Sequence, residues 1–275
     1  MLGAMLGTTI TLFILGGLGG LLAGMLGIGG GIIYVLLFSH YLPLIGIPEH
    51  LVVPAIVANS MFAIFFAGVS GSYKHYKNNN FYPKQFMLIG TAAVIASIFF
   101  SNLILNGSWY TKEKFTYLFI FLLLFIAYRI LSNKKADQIH LQEKTSTPAF
   151  ILTGFFSGTV AAFSGIGGGI LIVPILTDIM KISIKKATAI SLGVISIMAF
   201  FTSAYAMAFS KVNIDIVAPH FGLIVYSLAL PVAAGSLVFS PMGVQLATKI
   251  SPSKLRIIFA SFLIIVMVKM IIEIV

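Results

Sequence analysis

Gly27-Ile28-Gly29-Gly30-Gly31 recurs letter for letter as Gly165-Ile166-Gly167-Gly168-Gly169, each copy in the middle of an apolar run. Four glycines in five residues continue a helix only at a high conformational cost. Broken backbone inside a membrane is tolerated where protein buries it or where it lines a cavity. Paired breaks in corresponding halves of an apolar chain are the best sequence pointer to a transporter's substrate site.

The rest of the chain sets that context. Of 275 residues, 59% are hydrophobic and 9% charged, with a mean hydropathy of +1.07. A soluble domain carries about 25% charged residues. This is the composition of an all-α integral membrane protein, with room for roughly eight spans of about 20 residues. The formal charge of +10 then describes the decoration of the cytoplasmic face, not affinity for nucleic acid. There is no cysteine, so disulfide and thiol chemistry are excluded. No Lys or Arg precedes Lys74, so the first apolar run is expected to be retained as structure and not removed as a signal.

Apolar runs fall near residues 9–45, 51–71, 85–105, 115–131, 149–178, 187–209, 217–240 and 255–274. The polar stretch 132–148, with Lys134, Lys135, Asp137, Glu143 and Lys144, separates a first membrane repeat (1–131) from a second (149–275). Residues 20–38 lie over 158–176 without a gap, and nine of the nineteen positions are identical. As one straight helix, residues 12–45 would extend about 50 Å, against a hydrocarbon core of about 30 Å. The simpler reading is a re-entrant hairpin, with one short helix to about Met25, a glycine turn, and a second helix from Ile32.

Charge placement supports the hairpins. If all eight runs cross once, the seventeen Lys and Arg split eight to nine between the two sides. If both glycine-broken runs are re-entrant, thirteen collect on one face and only Lys112, Lys114, Lys211 and Lys269 remain on the other. That is a strong positive-inside bias. It makes 132–148 a cytoplasmic linker and puts both termini outside, with Trp109 and Tyr110 in the outer aromatic belt. One hairpin plus three crossings is an odd number. The expected architecture is therefore two inverted repeats, each a glycine-broken re-entrant helical hairpin followed by three transmembrane helices.

No acidic or basic residue sits near the middle of a span, and HExxH, paired carboxylates and Cys/His clusters are absent. A carboxylate proton relay or a metalloenzyme is thus disfavoured, and no cofactor, metal or catalytic residue is expected. What remains is backbone. The N–H groups of Gly29, Gly30 and Gly31, and of Gly167, Gly168 and Gly169, open helices and form candidate anion sites. The plainer reading is that these glycines only allow tight packing, which is the reading preferred for Gly16, Gly20 and Gly24. Further candidates are Asn59 and Ser60 after Pro54, Ser164 before the second turn, Thr188 and Ser191 in the comparable second-half run, and Tyr34 beside the first turn. Membrane serines and threonines often bond their own i−4 carbonyl instead. The five histidines lie at run ends or in loops, are expected to be interfacial, and receive no role. Pro174 and Pro231 are read as kinks.

The duplicated GIGGG, the stretch GIGGGILIVPIL from Gly165 to Leu176, and KKATAISLG from Lys185 to Gly193 resemble the TauE/SafE family of sulfite and organosulfonate exporters. The resemblance implies export, sometimes import, of small sulfur-containing anions such as sulfite, sulfoacetate or thiosulfate, in a multi-pass protein of the cell membrane. The expected partners are a small anionic substrate and membrane lipid, and self-association into a homo-oligomer stays open. The first half departs from the pattern: GIGGGIIYVLLF lacks the proline, and AIVANSMF replaces the Ser-Leu stretch. The second copy is therefore expected to dominate. A passive anion channel, or more remotely an intramembrane enzyme using Ser164, is the alternative.

Overall fold

The computed structural model describes residues 2–107, 109–132, 146–208 and 218–250. The linker charges, Lys211 and the final apolar run with its C-terminus lie outside the described residues.

Each pentapeptide ends one helix and starts the next. Helix α1 (Leu2–Leu26) stops at the first turn and α2 (Gly31–Leu44) leaves it. In the second half α6 (Thr147–Ser164) stops at the second turn and α7 (Gly169–Pro174) follows, passing into one π-helical turn over Ile175–Ile179. That π turn begins directly after Pro174, the expected kink, whose missing N–H disrupts the regular ladder. The first arms are longer than expected. At 25 residues α1 is long and apolar enough to cross a membrane from Leu6 to Leu26, as is α6. Only the second arms are short.

Between and after the hairpins run α3 (Glu49–Lys77), α4 (Pro83–Asn106), α5 (Lys112–Ser132), α8 (Ile184–Ala208) and α9 (Tyr226–Ala247). Among the described residues six helices are long and apolar enough to span: α1, α3, α4, α6, α8 and α9. Local signals agree with their ends. Pro83 occupies the first turn of α4, where its missing donor costs nothing. The Ser146 hydroxyl accepts the Ala149 N–H to cap α6. Lys74 and Lys77 fall in the last turn of α3, where positive charge suits the helix dipole.

Burial identifies the centre. Every residue from Leu51 to Met61 in α3 and from Ala187 to Ile195 in α8 is buried, as expected of helices surrounded by protein on all sides. These two helices cross antiparallel. Phe65 meets Phe200 at 5.3 Å between ring centroids, Gly68 lies against Ser196, and Gly71 against Leu192.

The outer helices pair through small residues. A Cβ on Gly16, Gly20 or Gly24 of α1 would strike the backbone of Val232, Ser236 or Ser240 in α9. The packing stripe read from the sequence is thus seated on α9, with residue numbers rising together. Likewise Gly154 and Gly158 of α6 press on the backbone of Ile89 and Ala93 in α4. Helix α9 also runs parallel to α3, to which Ser236 and Ser240 donate at Ala63 O (3.1 Å) and Ala67 O (2.7 Å). Helix α4 runs parallel to α8, where Thr202 Oγ1 donates to Ser97 Oγ at 3.1 Å and Gly193 meets Phe86.

One element departs from an all-helical reading. The apolar run near 217–240 does not start as a helix. It opens with a two-stranded antiparallel hairpin, β1 (His220–Phe221) and β2 (Ile224–Val225), and α9 begins only at Tyr226. Leu223, Ile224 and Val225 are completely buried, so this short hairpin reaches into the bundle and its backbone needs partners there.

Candidate functional site

The two pentapeptides have the same backbone. Gly27, Gly29 and Gly30 have φ of 72°, 92° and 71°, and Gly165, Gly167 and Gly168 have 69°, 97° and 66°. These left-handed values are cheap only for glycine, which explains why the motif needs glycine at those three places. Gly31 and Gly169 need it for a different reason. A Cβ on Gly31 would run into the Ile166 carbonyl, and one on Gly169 into Gly27 O and Ile28. The two turns therefore touch each other, backbone to backbone, at the middle of the molecule.

The surroundings repeat as well. Gly27 rests on Thr188 of α8, and Gly165 on Val57 of α3. Gly30 folds back on the carbonyl of Gly19, and Gly168 on that of Ser157. Ile64 and Ile195 close over Gly29, and Ile64 closes over Gly167. Among the described residues, the amides of Gly29, Gly30 and Gly31 and of Gly167 and Gly168 donate to no protein acceptor, while Gly169 donates to Gly167 O at 2.7 Å. All of these glycines are buried. Clustered buried donors without acceptors are uncommon in folded proteins, and they are the chemistry that an oxyanion would satisfy.

The side chains named from the sequence separate into two groups. Ser191 lies at the turns, donating to Gly27 O at 2.6 Å, and so removes one carbonyl that would repel an anion. Ser60, the α3 residue one helical turn beyond Val57, is fully buried and its hydroxyl has no partner. Ser164 donates to Val160 O (2.7 Å) and accepts the Ile166 N–H (3.2 Å), so both roles are taken up in shaping the second turn. Thr188 Oγ1 donates to Lys185 O at 3.1 Å, although its backbone and side chain abut Gly27.

Asn59 and Tyr34 are committed elsewhere. The Asn59 amide donates to Ala55 O (2.7 Å) and Leu223 O (2.8 Å) and accepts the Val225 N–H (2.9 Å). It is the polar clamp that lets the β1–β2 backbone enter the bundle. The ring of Tyr34 fills the space left by Gly19, and its hydroxyl, beside Gly30, donates to Gly16 O at 3.3 Å.

Two residues escaped the sequence reading. Ser157, opposite Gly168, is completely buried with an unpartnered hydroxyl. It sits one position before the duplicated window, paired with Gly19, and extending the overlay by one residue would have exposed the contrast. His75 is buried against the protein. Its Nδ1 lies 3.0 Å from Asn80 Nδ2, which also donates to Lys185 O at 3.0 Å. At the opposite end, Tyr110 is packed on the tip of α6, where its hydroxyl donates to Phe163 O at 2.8 Å; Trp109 beside it is half exposed. Burial pushes the Tyr110 phenol up, so it stays neutral. Among the described residues no group of His, Asp or Glu could hold a metal ion.

Comparison with known proteins places the chain among membrane transporters. A probable membrane transporter protein of Methanocaldococcus jannaschii is 32% identical over 254 residues, covering 92% of this chain and 91% of the relative. A probable membrane transporter protein of Haemophilus influenzae is 29% identical over 266 residues, covering 94% and 96%. One from Bacillus subtilis is 23% identical over 180 residues, covering 64% and 69%. No solved structure matches. The profile of the sulfite exporter TauE/SafE family matches residues 12–270, and with both glycine turns inside that match, the chain belongs to this family of membrane transporters.

Proposed function

We propose that this protein carries small sulfur-containing anions, such as sulfite, sulfoacetate or thiosulfate, across the cell membrane by alternating access, in the direction of export. The observation that carries the reading is the meeting of the two glycine turns, with buried amides that no group among the described residues accepts. Such donors replace the hydration shell of an oxyanion without a fixed positive charge that would hold it too tightly. Gly29, Gly30, Gly31, Gly167 and Gly168 supply the amides in this scheme. Gly169 allows the close approach, Ser60 and Ser157 add hydroxyls, and Ser191 and Thr188 border the first turn. Asn59, Tyr34 and Ser164 support the site from behind.

The architecture proposed is an inverted repeat of two re-entrant hairpins, each followed by three crossings. Its support is directional. Helix α1 runs with α9 and α3, while α6 runs with α4 and α8, and α3 is antiparallel to α8. Corresponding helices of the two halves thus point in opposite senses, the arrangement on which many carriers rock. Both termini would then face outward, with the linker inside.

The test is transport in proteoliposomes against a panel of sulfite, thiosulfate, sulfoacetate, taurine and simple carboxylates. Uptake of labelled anion that is accelerated by unlabelled anion on the far side is expected for sulfur oxyanions. Flux without trans-stimulation would make the protein a channel, and binding of none of these anions would remove the substrate assignment.

A further inference from the structure

Charge is spread unevenly between the two ends of the bundle. Among the described residues, the end where α3 and α9 stop and α4 and α8 start holds seven lysines, from Lys74 to Lys249, and a single acid, Asp178. At the opposite end Lys112 and Lys114 are matched by Glu49 and Glu113. The lysine-rich end also has a fixed corner between α3 and α4. There the Asn78 N–H donates to Lys74 O (3.2 Å) and His75 O (3.1 Å), the Asn79 N–H to Tyr76 O (3.0 Å) and the Asn80 N–H to His75 O (3.0 Å). Asn79 closes the turn in the left-handed region, with φ of 55°. The buried Asn80 side chain donates to Lys185 O at 3.0 Å, which fastens the start of α8 to the same corner. Lys77, Lys84 and Lys185 therefore stand on one rigid frame, and all three are exposed.

Aromatic rings surround this corner. The Lys77 ammonium lies over the Tyr73 ring, 4.9 Å from its centroid. Phe81 packs between Tyr76 and Phe86, with centroids 5.9 and 5.8 Å away, yet Tyr76 stays 62% exposed and Phe81 38%. Exposed aromatics beside lysines at helix ends suit a membrane–water interface, where an apolar ring body meets a wet edge. Beyond Lys84 the outward face of α4 continues as Met87, Thr91, Ile95 and Phe99, one residue per turn and all exposed. The Thr91 hydroxyl is turned back onto Met87 O at 2.7 Å, so the stripe offers no free donor. From Lys84 to Phe99 it runs about 22 Å, longer than one leaflet at about half of a 30 Å hydrocarbon core. Cation, interfacial ring and apolar track follow in the order of the phosphate, glycerol and acyl chain of a lipid.

We propose that the α3–α4 corner seats the headgroup of an anionic phospholipid, with Lys77, Lys84 and Lys185 supplying the charge, Tyr76 and Phe81 beside the glycerol, and the α4 stripe carrying an acyl chain. Lys185 belongs to the second half and the other two lysines to the first, so the bound lipid ties the halves together. A free anion would use the lysines but neither the exposed rings nor the stripe. The test is thermal unfolding of the full-length protein in detergent, titrated with phosphatidylglycerol, with phosphatidylcholine of the same acyl chains, and with inorganic phosphate. Phosphatidylglycerol is expected to raise Tm saturably, and the other two are not. Lys84→Gln and Lys185→Gln should each raise the half-saturating concentration about fivefold. Lys84→Arg should keep the parent value, as should Lys112→Gln at the opposite end. These lysines are exposed, so each variant should unfold at the parent temperature without lipid. No rise with phosphatidylglycerol, or an equal rise with phosphatidylcholine or phosphate, overturns the site. So does a half-saturation that stays put in Lys84→Gln and Lys185→Gln, or that moves as far in Lys112→Gln. The site needs only a membrane location, and with no transport measured, every outcome leaves the anion-carrier reading as it stands.

Discussion

The two glycine turns share five residues and a backbone conformation, yet their walls are furnished differently. Around the first, the Ser191 hydroxyl is spent on Gly27 O, and the Tyr34 ring fills the space beside Gly19. Around the second, Ile172 stands where Tyr34 would be and Ser157 where Gly19 would be. The hydroxyls of Ser157 and of Ser60, the α3 counterpart of Ser191, are uncommitted. A duplicated motif can keep its backbone geometry, and buried amides in both copies, while the hydroxyls around the two copies are used differently.

The largest effects should be equal at both turns, because they act on the shared backbone. Gly30→Val and Gly168→Val each force a β-branched residue into a left-handed conformation, which alone costs about 1–3 kcal/mol, and drive a Cβ toward the carbonyl of Gly19 or Ser157. Both are expected to abolish uptake in proteoliposomes. Normal uptake by either variant would take that turn out of the site. Next comes the clamp. Asn59→Ala leaves the Val225 N–H and the Leu223 carbonyl buried without partners, at about 1–3 kcal/mol per group, and should lower Tm more than any single serine change.

The serine pair then tests the asymmetry directly. Ser191→Ala orphans Gly27 O and should cost about 1–3 kcal/mol of stability. Ser60→Ala removes a hydroxyl that is already unpartnered, so its Tm should hold or rise while anion affinity falls. Equal Tm losses in the two variants would mean that the hydroxyls are equivalent and the comparison is broken. Ser157→Ala should behave as Ser60→Ala does. The smallest change is expected from Tyr34→Phe, which loses one long hydrogen bond to Gly16 O and keeps the ring. Uptake within about twofold of the parent corresponds to well under 1 kcal/mol, and a large loss would place the phenol in the substrate path.

Much of this molecule can be read from one dimension. Composition requires a membrane protein, because burying so few charges in so apolar a chain has no soluble solution. The glycine pentapeptides determine where two helices must break, since only glycine adopts three left-handed conformations in a row of five at low cost. The stripe of Gly16, Gly20 and Gly24 marks a helix contact by its spacing alone, although not its partner, α9. Tertiary structure decided the rest. Which polar side chain is free depends on carbonyls far away in sequence: Ser191 reaches Gly27, Asn59 reaches Leu223, and the Ser60 hydroxyl has no partner. It also depends on the hairpin at 220–225, which an apolar run alone does not distinguish from the start of a helix. Hydrogen bonds are short and directional, so sequence can name the candidates, but only the packed backbone determines which of them are left to bind.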